Sequence, residues 1–295
     1  MLVNLFTSLA AIQWDWDPAI FKAGPIELRY YGVLFALALA VGYITLRWRF
    51  RDENEDPEGA TGITYALMAA IVLGARLAHV FFYDRDYYFM NPGEILKFWK
   101  GGLASHGAAT GIILVCLFYS YIYRREPVRV ILDRMSFTIP FAAICVRLGN
   151  FFNSEIIGSP TDVPWAVVFV RVDSIPRHPS QIYESSMGII LIAIIFGTYY
   201  LYKRRNKPMP LGLASSLLLT GYFTMRFFVE FFKEAQTPDV FGALSMGQAL
   251  SLPFISLGLV GVALCLFGPW KKQNAMQYTK RFQLPAETAE SKEQA

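Results

Sequence analysis

The stretch that decides the fold is residues 247–268, which read GQALSLPFISLGLVGVALCLFG and contain no charged side chain. A helix of about 20 apolar residues crosses the roughly 30 Å hydrocarbon core of a bilayer. Six earlier blocks are also mainly apolar and about 20 residues long. The sequence therefore predicts an all-α polytopic membrane protein with seven transmembrane helices. The predicted spans are 28–48, 60–82, 103–123, 133–153, 182–202, 211–232 and 247–268.

The composition supports a membrane protein and excludes several other classes. Of the 295 residues, 54% are hydrophobic and 17% are charged, whereas soluble domains carry about 25% charged residues. These values exclude an ordinary soluble globule and an intrinsically disordered chain. Cys116, Cys145 and Cys265 all lie inside apolar blocks, without the spacing of a metal site or a disulfide framework. We therefore expect three small buried side chains and no metal.

The basic residues predict the orientation in the membrane. They concentrate in the connections after odd-numbered spans, and such connections are cytoplasmic by the positive-inside rule. The N-terminus is therefore predicted outside and the C-terminus in the cytoplasm. Since the basic residues lie beside apolar blocks, the net charge of +4 does not indicate nucleic-acid binding. The residues concerned are Arg47, Arg49, Arg51, Arg124, Arg125, Arg129, Lys203, Arg204, Arg205, Lys207, Lys271 and Lys272.

The same pattern predicts how the chain is organised. Residues 1–27 are expected to be an interfacial lead-in, and residues 28–270 a membrane domain of seven helices. Within that domain, residues 159–181 contain four prolines around a β-prone run and are too short to cross a bilayer, which favours an extracytoplasmic arm. Residues 271–295 are polar and are expected to be a disordered cytoplasmic tail.

Ionisable side chains inside the predicted spans are the first candidates for function, because a charge at the bilayer centre costs about 2.5–3.5 kcal/mol. Span four carries Arg147, Asn150 and Ser154 on one helical face. Span six carries Tyr222, Arg226 and Glu230 as one polar stripe. The alternatives are an arginine that reaches the interface in span four and a structural ion pair in span six.

Histidine and arginine near the outer ends of two other spans extend this set. His106 lies in a glycine-rich start to span three, and it is either a hydrogen-bonded core residue or a proton acceptor, for which histidine is suited near neutral pH. Arg76, His79 and Tyr83 share a face of span two, where reaching the interface is the simpler interpretation. The segment from Arg177 to Glu184 is interpreted as architectural, with Ser180 capping a helix. From the residues alone, the chain is an enzyme or carrier for an anionic lipid or similar ligand, because arginine matches phosphate oxygens bidentately.

Several segments carry a family resemblance, and together they cover nearly the whole chain except the tail. They are Gly24-Pro25, Tyr30-Tyr31-Gly32, Ser105-His106-Gly107, Arg147-Leu148-Gly149-Asn150-Phe151-Phe152-Asn153-Ser154-Glu155, Arg177-His178-Pro179-Ser180-Gln181, Arg226-Phe227-Phe228-Val229-Glu230-Phe231 and Leu244-Ser245-Met246-Gly247-Gln248. In this order they resemble the prolipoprotein diacylglyceryl transferase family.

The resemblance implies an activity in the bacterial plasma (inner) membrane, with the active site toward the outer leaflet. A diacylglyceryl group would move from phosphatidylglycerol to the lipobox cysteine in the signal peptide of a preprolipoprotein. The products would be a thioether and glycerol 1-phosphate. No cofactor, metal or nucleic acid is implied, and the lipid bilayer is the remaining partner.

The resemblance also implies roles for individual residues. Arg147 and Arg226 would bind the phosphate and its developing charge, and His106 would act as the base or assist it, with Tyr222 as the alternative base. Substrate binding would fall to seven further positions. These are Tyr31, Arg76, Asn150, Asn153, Glu155, Gly158 and Glu230.

Three positions depart from the usual family pattern. Ala108 and Val146 stand where glycine is common, and Lys233 stands where arginine is usual. Lysine is a point charge, so a bidentate contact at position 233 is in doubt. The competing readings are an anionic-lipid transporter or flippase, and a non-catalytic membrane scaffold. A transporter would predict polar residues in both leaflets and some internal repeat.

Overall fold

The computed structural model describes residues 11–24, 26–97, 101–234, 244–268 and 270, and these residues are mainly helical. The helices are α1 (Tyr30–Asp52), α2 (Glu58–Phe82), α3 (Arg85–Met90), α4 (Ser105–Phe118), α5 (Val128–Ser136), α6 (Ile139–Phe152), α7 (Ser180–Arg204), α8 (Leu213–Val229) and α9 (Met246–Leu266). The strands are β1 (Ile12–Trp14), β2 (Ala19–Ala23), β3 (Ile26–Arg29), β4 (Val167–Phe169) and β5 (Pro176–Arg177). The predicted tail, residues 271–295, lies outside the described residues.

The structure confirms a helical membrane protein but not a count of seven spans. Five helices among the described residues are long and apolar enough to cross a bilayer: α1, α2, α7, α9 and the helix His106–Arg124, which joins α4 to a π-helical turn. The bent pair α5 and α6 makes a sixth if it is counted as one span. Helix α8 has 17 residues and continues into the 3₁₀ turn Glu230–Phe232. The predicted topology stays a prediction.

The fourth predicted span, residues 133–153, is not one uninterrupted helix. It is broken between Ser136 and Ile139, where the axes of α5 and α6 differ by 48°. Pro140 occupies the first turn of α6. Proline lacks the backbone N–H that would continue the hydrogen-bond ladder, and its ring disfavours a helical residue before it. The hydropathy of the segment does not register this break, because both halves are apolar.

Short strands cover one end of α6. Strand β1 pairs in parallel with β4, in the register Ile12 to Val167 and Trp14 to Phe169, and β4 pairs with β5. Phe169 is fully buried, and the ring of Phe151 on α6 lies 4.4 Å from that of Trp14 and 5.6 Å from that of Phe169. Strands therefore occur in both the predicted lead-in, residues 1–27, and the predicted arm, residues 159–181. The location of the arm outside the membrane stays a prediction.

The chain divides into two compact units. The first comprises Met1–Gly42 with Met135–Ala295, and it contains α6, α7, α8 and α9. The second comprises Tyr43–Arg134, and within it α2 and α4 pack closely. In the first unit, Gly188 lets α7 approach the backbone of α6, because a Cβ there would lie 2.9 Å from the carbonyl oxygen of Pro140. The helices that carry the polar motifs are thus held at short range.

Candidate active site

The carboxylate of Glu184 is the centre of a charged cluster in the first unit. It lies in the second turn of α7, and its side chain is only 4% exposed. Arg147 of α6 places Nε 2.6 Å from Oε2 of this carboxylate. Arg226 of α8 places Nη1 3.4 Å from Oε1, and Lys233 places Nζ 3.2 Å from the same oxygen. Three cations from separate elements therefore meet at one buried acid.

A second carboxylate joins the same cluster. Oε2 of Glu230 lies 3.9 Å from both Arg226 Nη2 and Lys233 Nζ. The cluster thus holds three cations and two carboxylates. Although Arg147 Nε is close to Glu184 Oε2, that oxygen accepts no aligned hydrogen bond from the described residues. The two groups still attract each other, because attraction between charges does not depend on alignment as hydrogen bonding does. These five groups alone carry one net positive charge, which favours an anion beside the cations.

A hydrogen-bonded chain extends the cluster along the end of α6. Arg147 Nη1 donates to Asn150 Oδ1 at 3.3 Å, and Asn150 Nδ2 donates to Glu155 Oε2 at 3.1 Å. Asn153 Nδ2 donates to the other oxygen of Glu155 at 3.2 Å. Hydrogen bonds therefore link Arg147, Asn150, Glu155 and Asn153 in sequence, and their assignment to the substrate stays a prediction. Amides and a carboxylate beside an arginine form a surface suited to a polyhydroxylated group.

The turn that carries Glu155 is anchored by the start of α7. Ser154 and Ile156 both have positive φ, which non-glycine residues rarely adopt. Gln181 Nε2 donates to the carbonyl of Glu155 at 2.7 Å, and Ser180 Oγ donates to the carbonyl of Ile156 at 2.7 Å. The predicted side-chain cap by Ser180 is wrong, since this hydroxyl makes no such bond to its own helix. It instead helps to hold the turn after α6.

Gly149 brings a predicted binding residue against α6. A Cβ at Gly149 would lie 2.7 Å from Cδ2 of Tyr31, so the tyrosine ring rests on the glycine. Tyr31 belongs to the first turn of α1, and Gly149 belongs to α6 beside Asn150. The close approach at Gly149 is therefore made by a neighbouring helix. Tyr31 thus borders the side of α6 that carries the polar chain.

The predicted binding residue Gly158 lies between two backbone segments. Its N–H donates to the carbonyl of His178 at 3.0 Å, and it forms an antiparallel bridge with Lys233. A Cβ at Gly158 would lie 2.6 Å from the carbonyl oxygen of Phe232, so only glycine fits without displacement. Burial lowers the pKa of the neighbouring His178 imidazole. Gly158 therefore packs against the backbone that carries Lys233, and its predicted contact with substrate stays a prediction.

Glu230 is placed by the beginning of α9. Ser245 caps this helix: its hydroxyl accepts the N–H of Gln248 at 3.2 Å, while the Gln248 side chain accepts the N–H of Ser245 at 3.0 Å. Gly247 lies in the first turn, and a Cβ there would overlap the carboxylate of Glu230. The first turn of a helix attracts negative charge. The motif Leu244–Gln248 thus leaves room for the acid and stabilises it.

The remaining predicted residues lie elsewhere. Tyr222 is half-buried on α8, one turn before Arg226, and its ring contacts Phe223 at 5.2 Å between centroids. In the second unit, His106 is exposed in the first turn of α4, with its ring 5.8 Å from those of Phe82 and Tyr83. The predicted roles of Tyr222 and His106 stay predictions.

Arg76, also in the second unit, is committed to backbone carbonyls. It is 5% exposed and donates from Nε to Ile95 at 2.8 Å and from Nη1 to Gly101 at 2.7 Å and to Gly102 at 3.1 Å. Nη2 donates to the carbonyl of Glu94. These contacts hold the segment before α4, which favours a structural function. Its predicted contact with substrate stays a prediction.

Comparison with known proteins identifies the family of this chain. A family model described as prolipoprotein diacylglyceryl transferase matches residues 18–264. The chain belongs to the prolipoprotein diacylglyceryl transferase family. This confirms the resemblance predicted from the motifs, and the chain is accordingly a transferase with membrane-spanning helices.

Curated relatives agree with this family assignment. A phosphatidylglycerol–prolipoprotein diacylglyceryl transferase of Chloroherpeton thalassium is 43% identical over 84% of this chain and 92% of its own length. Relatives of the same name from Tolumonas auensis and Bacteroides fragilis are 37% and 39% identical. These two alignments cover 84% and 85% of this chain, and 95% and 94% of the relatives. The family thus accounts for nearly all of the predicted membrane domain.

Sequence reasoning missed two members of the cluster. The sequence pattern indicates only an architectural segment around Glu184 and only a departure from the family pattern at Lys233. One signal was available for Glu184: a carboxylate near the beginning of an apolar span needs a cationic partner. No sequence pattern predicts the contact between Lys233 and Glu184, because it depends on the path of the backbone after the end of α8.

Proposed function

We propose that this protein transfers the diacylglyceryl group of phosphatidylglycerol to the thiol of a prolipoprotein cysteine. The observation that carries the proposal is the convergence of Arg147 and Arg226 on Glu184, with Lys233 as a third cation. Phosphatidylglycerol supplies the anionic phosphate that such a cluster attracts. The acceptor would be the lipobox cysteine of a signal peptide, in the bacterial plasma (inner) membrane, with the reaction toward the outer leaflet.

The reaction that we propose is a displacement at carbon. The cysteine sulfur attacks the carbon of the diacylglycerol unit that bears the phosphate, so a C–S bond forms and the bond from that carbon to the phosphate oxygen breaks. The electron pair of that bond stays with the phosphate oxygen, and glycerol 1-phosphate leaves. The thiol proton passes to a base, because the thiolate is the effective nucleophile. The lipoprotein retains the diacylglyceryl group as a thioether.

The cations act on the charge that develops at the leaving oxygen. Fixed positive groups aimed at such an oxygen lower the barrier, because they need no reorganisation as the bond breaks. Arg147 and Arg226 would contact the phosphate, and Glu184 would set their separation through its two oxygens. Lys233 would add charge without the planar fork of arginine.

The polar chain at the end of α6 would hold the glycerol headgroup. Asn150, Asn153 and Glu155 offer amide donors and carboxylate acceptors to its hydroxyl groups. Tyr31 and Tyr222 would position the lipid, and Glu230 and Gly158 would act through Arg226 and Lys233. His106 would accept the thiol proton, with Tyr222 as the alternative base. Arg76 would order the segment before α4.

The deciding experiment mixes purified protein in nanodiscs, phosphatidylglycerol and a lipobox peptide, and measures the peptide mass. We expect a mass increase of one diacylglyceryl group, absent when the peptide cysteine is replaced by serine. Arg147→Ala should abolish the increase, whereas Arg171→Ala, in the arm and outside the cluster, should retain it. Lipid exchange between leaflets without any mass increase would instead support a transporter, which the relatives' names do not favour.

A further inference from the structure

Two consecutive residues of the arm contact the two neighbours of Lys233 in the chain. The ring of Phe232, just before Lys233, packs against the His178 imidazole with 5.0 Å between the ring centroids. The carboxylate of Glu234, just after Lys233, places Oε2 3.2 Å from Nη1 of Arg177. The segment that carries one cation of the cluster is therefore held on both sides by the arm.

The backbone of this segment is also joined to the arm, through the turn after α6. The N–H of Gly158 donates to the carbonyl of His178, and the N–H of Ser159 donates to the carbonyl of Phe232, each at 3.0 Å. Gly158 forms an antiparallel bridge with Lys233 as well. The turn thus lies between the backbone of His178 and that of Phe232. This arrangement fixes the path of the chain after α8.

The His178 ring is itself oriented by a chain of hydrogen bonds. The indole N–H of Trp165 donates to the hydroxyl of Tyr183 at 2.7 Å. Because an indole can only donate, this hydroxyl keeps its own proton, which it donates to Nδ1 of His178 at 3.0 Å. An imidazole that accepts at Nδ1 is neutral, and burial lowers the pKa of His178. The ring therefore packs on Phe232 as a neutral group in a defined orientation.

Lys233 is a cation whose position depends on such support. It lies just past the 3₁₀ turn Glu230–Phe232, where the backbone becomes extended. Its Nζ is 3.2 Å from Oε1 of Glu184 and 3.9 Å from Oε2 of Glu230. An ammonium is a point charge on a flexible four-carbon stem, without the planar fork that fixes an arginine. The distance from Nζ to Glu184 therefore depends on where the backbone places the stem.

We propose that His178 is a positioning residue that packs against Phe232 and thereby keeps the ammonium of Lys233 beside Glu184. The inference rests on the proposed transfer reaction, in which this ammonium adds positive charge near the leaving phosphate. The imidazole contacts the rings of Tyr183 and Phe232. Its influence on the cluster therefore passes along the chain from Phe232 to Lys233.

The first measurement follows the position of Lys233 itself. Purified protein in nanodiscs is treated briefly with acetic anhydride, and the acetylation of each lysine is quantified by mass spectrometry. Lys22 is the internal reference, because its side chain is 56% exposed and that of Lys233 is 11% exposed. His178→Ala should raise the acetylation rate of Lys233 relative to Lys22 by about threefold or more, since the flexible stem is no longer held. An unchanged ratio would overturn the proposal.

Phe169→Leu is the matched control for this labelling. It alters another buried ring of the arm, which packs 5.6 Å from the ring of Phe151 on α6 and not against Phe232. The ratio of Lys233 to Lys22 acetylation should stay at the wild-type value. A rise equal to that of His178→Ala would show a general loosening of the arm and would overturn the proposal.

Phe232→Ala removes the other ring of the same contact, and the fold should tolerate it because Phe232 is 42% exposed. It should raise Lys233 acetylation as much as His178→Ala does. The two changes together should raise it no further, because both remove one contact. Effects that multiply in the double variant would contradict transmission through Phe232.

The second measurement compares kcat for transfer in a double-mutant cycle of His178→Ala and Lys233→Met. His178→Ala alone should lower kcat about fivefold, but less than about twofold in the Lys233→Met background, where the positioned group is absent. His178→Phe keeps a ring against Phe232 and should retain about half of the wild-type kcat or more. The same loss in both backgrounds, or a phenylalanine variant as slow as alanine, would overturn the proposal. If the wild type transfers nothing, the proposed function fails, and the acetylation of Lys233 still decides whether His178 positions it.

Discussion

Nε of Arg147 lies 2.6 Å from Oε2 of Glu184, which joins the end of α6 to the beginning of α7. The other oxygen of this carboxylate faces Arg226 and Lys233. One buried acid thus determines the spacing of three cations that would otherwise repel one another. The proposed phosphate site depends on this spacing as much as on the arginines themselves.

Glu184→Gln should lower kcat by about 10–100-fold while changing the apparent KM for phosphatidylglycerol much less. The amide keeps the shape of the side chain but no longer neutralises the cations, so the arginines lose the arrangement that serves the transition state. Steady-state kinetics with the lipobox peptide provides the measurement. Glu27→Gln, which disrupts an exposed pair with Arg29, is the control. Equal kcat in wild type and Glu184→Gln would remove Glu184 from the site.

Lys233→Arg should retain activity within about threefold, whereas Lys233→Met should lose about tenfold. Lys233 is 11% exposed and acts through charge at 3.2 Å from Glu184, a contact that either cation can make. Measured rates should therefore follow charge and not side-chain shape. If methionine and arginine gave the same rate, the contribution of charge at this position would be refuted.

Gly247→Ala should reduce both thermal stability and activity, because the added methyl group would displace the Glu230 carboxylate. Overpacking of this kind costs about 1–3 kcal/mol. Thermal melts and transfer assays test both effects. Gly197→Ala meets open space on α7 and should be neutral or slightly stabilising, since alanine is favoured over glycine in helices. A Gly247→Ala protein with unchanged melting and rate would show that Glu230 needs no such space.

His106→Gln should lower kcat by about 10²–10⁴-fold if the imidazole accepts the thiol proton, the range of general-base contributions. Tyr222→Phe should then have a much smaller effect. Parallel kinetics at several pH values distinguishes the two residues, because loss of the base removes the corresponding limb of the pH profile. A loss below tenfold for His106→Gln would shift the function of base to another group.

Asp173→Asn should destabilise the protein at neutral pH but not in acid. A hydrogen bond from Arg177, at 2.6 Å, is the main reason that the pKa of the Asp173 carboxyl is held below its ordinary value of 3.8. A depressed folded-state pKa stabilises the protein above the unfolded value, and the contribution disappears as pH falls through the folded value. Melting temperatures of wild type and variant should therefore converge below about pH 4. Asp162→Asn, in the same arm but outside this pair, should show no such trend, and a gap that persists in acid would contradict the mechanism.

The sequence alone determined that the protein is helical, where most of its long helices lie and which family it belongs to. Hydropathy is a sum over neighbouring residues, so helices α1, α2, α7 and α9 can be predicted without knowledge of tertiary contacts. Helical periodicity also predicted that Arg147 and Asn150 share a face. The prediction that Ser154 lies on that face was wrong, because α6 ends at Phe152 and Ser154 has a positive φ.

Only the tertiary structure decided which polar groups meet. The contact of Glu184 with Arg147, Arg226 and Lys233 depends on the packing of α7 between α6 and α8, and no local pattern encodes a distance between helices. The break before α6 arises from backbone chemistry within an apolar segment, to which hydropathy is insensitive. The sequence therefore specifies which charged residues each helix carries, whereas the packed fold determines which of them form ion pairs.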